Sequence, residues 1–289
     1  MQGQGSIEYL IVIGGAILAV AIIIAALSAT PEVTISSAAR ALASAHCTAQ
    51  AHADCAKQDI NAHGTMFICY FDYTEDRCMP KPVDIFLDEC GNPSGGWQAG
   101  KVYLLTQEVS VVGGACFNID GSPAHDLTLN CGGHKITVTG ASSYGIILHR
   151  YNNSIQNCII DGGDYGIAFS SSGEGRNNQI LYNTIENFSM FAINIGGTVG
   201  TSASYNRIEG NIINSSSGTG IYLSSGIREY NIIKNNTIFC GERGANSIYI
   251  PDKAQSTESE GNTCPPGTCQ ETHSSHVICD LANNCHLGC

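Results

Sequence analysis

The middle of the chain alternates apolar and polar positions in a fixed frame. The pattern N-x-I-x-x-N-x-I occurs at Asn178, Ile180, Asn183 and Ile185, again at Asn206, Ile208, Asn211 and Ile213, and again at Asn231, Ile233, Asn236 and Ile238. An earlier copy, Asn153, Ile155, Cys158 and Ile160, keeps the frame with Cys in the second Asn place. The copies succeed one another at 25, 28 and 25 residues. After each comes a short alternating segment: Gly166-Ile167-Ala168-Phe169, Ala192-Ile193-Asn194-Ile195, Gly220-Ile221-Tyr222-Leu223 and Ser247-Ile248-Tyr249-Ile250, with Gly145-Ile146-Ile147-Leu148 ahead of them. Alternation with period two marks strands with one buried face. Self-similarity in the mid-twenties marks one structural unit per repeat, stacked on its neighbours. No helical stretch separates the strands, which excludes a βαβ sheet. A coiled parallel sheet is therefore predicted over residues 101–250, with Ile side chains filling its interior and Asn side chains laddered along its axis. At ~4.8 Å per coil, about five coils build a stack some 24 Å high.

The amino-terminal pattern is different. Leu10 to Leu27 is an unbroken uncharged, mostly aliphatic run. As a helix it spans ~27 Å, close to the ~30 Å hydrocarbon thickness of a bilayer. No Lys or Arg precedes Arg40, unlike the basic start of a secretory signal peptide. Ala26-Leu27-Ser28 nevertheless forms an acceptable small-x-small cleavage site. Val33 to Ala62 is rich in Ala and free of Gly, which predicts that helix continues after Pro31. The expected organisation is a long amino-terminal helix over 4–62, a Cys-containing cap or collar over 63–100 that covers an open end of the coil, the coil itself over 101–250, and a Cys-rich tail over 251–289.

Composition narrows the class. Only 13% of residues are charged against 43% hydrophobic, which excludes wholesale disorder. A net charge of −12 without a basic run argues against nucleic acid as a partner. The 14 cysteines are unusual for a reducing cytosol and fit an oxidising or extracellular setting. Cys47 and Cys55 stand about 12 Å apart along a helix, too far to bond each other, so each is expected to staple the helix to the head beyond it. Cys69, Cys78 and Cys90 precede the coil, Cys116, Cys131, Cys158 and Cys240 fall within it, and Cys264, Cys269, Cys279, Cys285 and Cys289 close the chain. The tail also holds His273, His276 and His286, but its Cys spacings only approach those of a zinc site, so disulfides are the expectation and no metal or cofactor is assigned.

Two parts of the chain resemble known families. The string Gly3-Gln4-Gly5-Ser6-Ile7-Glu8-Tyr9-Leu10 ahead of the apolar run resembles the start of archaeal type IV pilins, with their class III signal peptide. Gln2 stands where that family usually carries Lys or Arg. The resemblance implies a leader of residues 1–3, cleavage by a prepilin peptidase between Gly3 and Gln4, and a membrane-inserted precursor handled by an assembly platform. It further implies that Glu8 pairs with a neighbouring subunit's amino terminus, with Tyr9 and Leu10 beside it in the packed core, where a buried charge needs an opposite partner. The repeats, with Leu127-Thr128-Leu129-Asn130-Cys131-Gly132-Gly133-His134-Lys135-Ile136 as an opening coil, resemble the right-handed parallel β-helix of the pectate-lyase type.

Enzymes on that fold attack acidic polysaccharides, and glycoside hydrolysis needs two carboxylates ~5–9.5 Å apart. Asp161 and Asp164, with Glu186 one coil later, are the candidates. The hydrolase signatures of the fold, a paired D-D and a G-H-G, are absent, and Asp161-Gly162-Gly163-Asp164 suits a tight corner. His134 and His149 are isolated, so no catalytic residue is assigned. Asn152, Asn187, Asn214 and Asn235 each begin an N-glycosylation sequon. The expected protein is mainly β and disulfide-rich, a long helix leading into a right-handed β-helix head, self-assembling into a homopolymeric extracellular filament that serves adhesion, with surface glycans as possible contacts. The alternative is a secreted or membrane-anchored carbohydrate-active enzyme or glycan-binding module.

Overall fold

The computed structural model describes residues 31–263, apart from 51–54, 56, 58, 63, 74, 122, 171–174, 197–202, 216–217, 224–229, 241–247 and 250–257. It opens with helix α1 (Pro31–Thr48). Ala39 and Ala43, four apart on one face, are buried against Ala62 and Phe67.

The expectation of a long helix over 4–62 is overturned. Among the described residues α1 ends at Thr48, and Asp59–Ala62 is strand β1, paired antiparallel with β2 (Thr65–Asp72) from Asp59↔Ile68 to Ala62↔Thr65. Gly64, at φ +82°, turns the chain between them while its N–H donates to Asn61 Oδ1 at 3.0 Å. Helix propensity summed over an Ala-rich stretch is weaker than this turn and a sheet partner. Strand β3 (Arg77–Pro82) completes an antiparallel sheet of order β1-β2-β3.

From Ile85 onward the strands pair in parallel and wind into a solenoid with three faces. One face is an 8-stranded sheet whose successive rungs include Val102–Leu105, Thr128–Asn130, Ser154–Gln156, Gln179–Leu181 and Arg207–Glu209. The other two belong to a 10-stranded sheet in which the long strands Val109–Ile119 and Lys135–Leu148 bend around the corner between them. The register stacks like on like. Leu129, Ile155, Ile180, Ile208 and Ile233 form one interior column, Ile136, Ile160, Ile185, Ile213 and Ile238 a second, and Ile146, Ile167, Ile193, Ile221 and Ile248 a third. All are buried. Parallel rungs reach from Ile85 to Glu260, beyond 101–250 at both ends.

The frame's asparagines make two buried ladders. At one corner the backbone N–H groups of Asn153, Asn178 and Asn206 donate to the side-chain oxygens of Asn178, Asn206 and Asn231, one rung on, at 2.9–3.0 Å. At the next corner Cys158, Asn183, Asn211 and Asn236 do the same to Asn183, Asn211, Asn236 and Asn262. The residue before each ladder position turns the chain inward with a positive φ, as in Asn152, Asn177, Tyr205 and Tyr230 at the first corner. This conformation is one that Asn adopts more readily than most residues.

The loop between Ile85–Leu87 and Val102–Leu105 closes the amino-terminal mouth of the coil. Trp97, the chain's single tryptophan, is buried there edge-on to Tyr103 and Phe117, with its Nε1 donating to Asn92 Oδ1 and Asn118 O. Cys90–Cys116 ties the same loop to the first full rung. The β1–β3 sheet stands between α1 and the coil. It lies along the flank of the 8-stranded face, with Ile68 packed on Val102 and Leu104, Gln156 Nε2 donating to Cys69 O at 3.2 Å, and Tyr73 reaching Glu209. On its other side it carries α1, which Cys47–Cys69 bolts to β2.

Candidate functional site

The carboxylates named as candidates for glycosidic chemistry lie at one corner of the coil. Asp161 and Glu186 are register neighbours on adjacent rungs. Lys135 lies between them, its Nζ 3.0 Å from Asp161 Oδ2 and 3.6 Å from Glu186 Oε1, and Asn187 Nδ2 donates to Asp161 Oδ1 at 2.8 Å. These bonds, that of Asn187 first, hold the Asp161 carboxyl below its ordinary range. Asp164 accepts from Ser189 Oγ at 2.6 Å and from the Ser142 N–H at 2.7 Å, which likewise lowers its proton affinity. Both groups are therefore held as ionised elements of the corner, whereas a glycosidic general acid needs a carboxyl raised towards neutrality. His149 bonds Asn118 Oδ1 at 2.9 Å, and burial pushes its proton affinity down. His134 lies against Asp59 of β1, whose carboxyl burial raises while the imidazole acts in the opposite sense.

The sequon asparagines Asn152, Asn187, Asn214 and Asn235 are all exposed. The adjoining ladder residues Asn153 and Asn236 are buried. Disulfides join Cys47 to Cys69, Cys55 to Cys78, Cys90 to Cys116 and Cys131 to Cys158. Cys240 ends the strand Thr237–Cys240. Gly3, Gln4, Glu8, Tyr9 and Leu10, the apolar run, and the five cysteines from Cys264 to Cys289 lie outside the described residues. Among the described residues no helix is long and apolar enough to cross a membrane, and no group of three or more His, Cys, Asp or Glu is placed to hold a metal ion.

The structure adds a site that the repeat pattern alone did not isolate. Where the flank sheet meets the solenoid, a cleft of about 340 Å³ runs beside the first ladder corner. Its floor is the column Thr128, Ser154 and Gln179, one residue per rung. Asp126, Asn152 and Asn177 form one wall, and Tyr70 and Lys81 of the flank sheet form the other. Burial pushes the Lys81 ammonium down, against the pull of Asp84 and Asp126, and its Nζ reaches Thr128 Oγ1 at 3.5 Å. Beyond the cleft the same corner continues as Tyr205 and Tyr230, half-exposed and stacked at 5.0 Å. The signal was present in the frame: two of the floor residues, Ser154 and Gln179, are the x of N-x-I, but only the flank sheet turns that column into a concave surface.

Below the cleft a second contact fastens the flank sheet. Glu209, 3% exposed, accepts from Tyr73 OH and from Arg207 Nη1, each at 3.0 Å, and the Arg207 guanidinium lies 3.8 Å over the Tyr73 ring. Next to that carboxylate, burial pushes the Tyr73 phenol well above its ordinary value.

Three parallel faces, Ile columns and Asn ladders define a disulfide-braced parallel β-solenoid. Residues 127–277 match the family model described as right handed beta helix region, more than half of the chain, and the protein belongs to that family. No curated protein and no solved structure matches it. The disulfides point to an extracellular or secreted protein.

Proposed function

We propose that the chain is a structural subunit of an extracellular filament of the archaeal type IV pilus kind, assembled through its apolar amino-terminal segment, with the β-helix head displayed for adhesion. One observation carries the reading: Gly3-Gln4-Gly5-Ser6-Ile7-Glu8-Tyr9-Leu10 directly ahead of the uncharged run to Leu27. In this reading a prepilin peptidase cuts between Gly3 and Gln4, Glu8 neutralises the amino terminus of the next subunit, and Tyr9 and Leu10 pack beside it. The membrane holds the segment before an assembly platform extracts it.

The head is suited to bearing load. A pull arriving at α1 passes through Cys47–Cys69 into the flank sheet, and from there through the Tyr73–Glu209 contact into the solenoid. The head works as a scaffold and not as a catalyst, in keeping with the Lys135-bridged carboxylates.

The test is the amino terminus of the native protein in sheared surface material, read by mass spectrometry. A start at Gln4 is expected, with Glu8→Ala abolishing filaments seen by electron microscopy. A start near Ala29 or Thr30, or normal filaments from Glu8→Ala, overturns the reading. The polar cleft favours a second reading, a secreted or anchored β-helix module that binds glycans. That reading predicts saccharide binding by the full chain without filaments.

A further inference from the structure

The cleft between flank sheet and solenoid contains both chemical residues of one sequon. Asn152 and Ser154, the acceptor and the hydroxyl residue of Asn152-Asn153-Ser154, line the same concave surface, the first on its wall and the second on its floor. Asn152 is exposed, while Asn153 between them turns inward into the ladder. The Asp126 carboxylate, also on the wall, stands beside the Asn152 side chain. The space beside it, about 340 Å³, lies at the small end of ligand pockets. It is lined by hydroxyl, amide, carboxylate and ammonium groups with the Tyr70 ring at one side, which suits a body carrying many hydroxyl groups.

We propose that the occupant is the chain's own carbohydrate: a glycan on Asn152 whose first sugars seat in the cleft and bridge the solenoid to the flank sheet. The modification is a group transfer from a lipid-phosphate-linked saccharide. The C1–O bond of that donor breaks, the Nδ2–C1 bond forms, one amide proton passes to a base of the transferase, and the lipid phosphate leaves. Glycosylated Nδ2 retains one N–H, so the linkage keeps a donor for the acceptor groups of the wall. On the opposite wall Lys81 and Tyr70 belong to a separate layer of the protein, so a seated sugar touches two elements that otherwise meet through packing and a few hydrogen bonds. Asn187, Asn214 and Asn235 do not line this cleft.

The inference needs an extracellular protein but not a filament, so it stands apart from the assembly reading. The experiment uses the full chain, made in a host that N-glycosylates and in one that does not. Glycopeptide mass spectrometry is expected to find Asn152 occupied. Its glycan should resist endoglycosidase on the folded protein and yield on the denatured one. Asn152→Gln and Ser154→Ala should lower Tm by about 2–4 °C more in the glycosylating host than in the other, a shift typical of one bridging contact in a chain of this size. An unmodified Asn152, equal release of its glycan from folded and denatured protein, or the same Tm change in both hosts overturns the inference.

Discussion

The side-chain oxygen of Asn211 accepts from both the backbone N–H and the Nδ2 of Asn183, at 2.9 and 3.0 Å, although the two residues are 28 apart in sequence. Asn211 Nδ2 in turn donates to Ile180 O at 2.9 Å. One buried amide thus satisfies groups on the rung before it. Asn211→Ala leaves at least two buried donors unmet, at about 1–3 kcal/mol each. Urea melts should show a loss on the order of 2–5 kcal/mol, while Asn214→Ala, exposed on the next strand, should stay within about 0.5 kcal/mol.

The flank contact separates pair from partner. Arg207→Met deprives the buried Glu209 of its cation and is expected to cost about 3–5 kcal/mol, whereas Arg207→Met with Glu209→Met should recover most of that loss. Thermal denaturation of the two variants side by side makes the comparison. Equal stabilities would mean that the carboxylate is not held by the guanidinium.

Acid should loosen the corner at Lys135. The Asp161 carboxyl is depressed below 3.8 in the folded state, so its contribution is present above that value and disappears as pH falls through the folded pKa beneath it. A Tm series from pH 6 to pH 2 is expected to fall at its acid end. Asp161→Asn should flatten that fall by lowering the neutral end, where the ionised carboxylate makes its contribution, and leaving the acid end little changed.

Removing the bolt on α1 should act locally. Cys47→Ser with Cys69→Ser takes away a covalent link of separation 22, for which about 2–4 kcal/mol is typical. Limited proteolysis should then cut at 49–58 while the fragment from Ile85 onward survives intact. Cleavage spread evenly over the chain would show that the outer layers and the coil unfold together.

The repeat was legible because each rung obeys one rule: Ile inward at period two, Asn inward at the corners. The glycine positions of the Gly-Ile openings were legible for the same reason, and the structure gives their cause. A Cβ on Gly166 would stand 2.6 Å from Ala192 O on the next rung. What the pattern hid was the outer side of the coil. Val102-Tyr103-Leu104-Leu105 is buried on both faces, and its outward Val102 and Leu104 find Ile68, more than thirty residues earlier. Nothing local reports such a partner, so the flank sheet, its cleft and the Tyr73–Glu209 contact needed coordinates. The helical reading of Asp59–Ala62 failed for a related reason, since Ala-rich composition carries no record of a strand waiting on the far side of Gly64.

Trp97 has a spectroscopic consequence. Because it is the sole tryptophan and is enclosed at one end of a quasi-one-dimensional stack, its emission reports the opening of that end alone. Circular dichroism averages over every rung. Red-shifted fluorescence that precedes the loss of ellipticity would reveal unzipping from the amino-terminal mouth, and coincident curves would reveal a coil that melts as a single cooperative body.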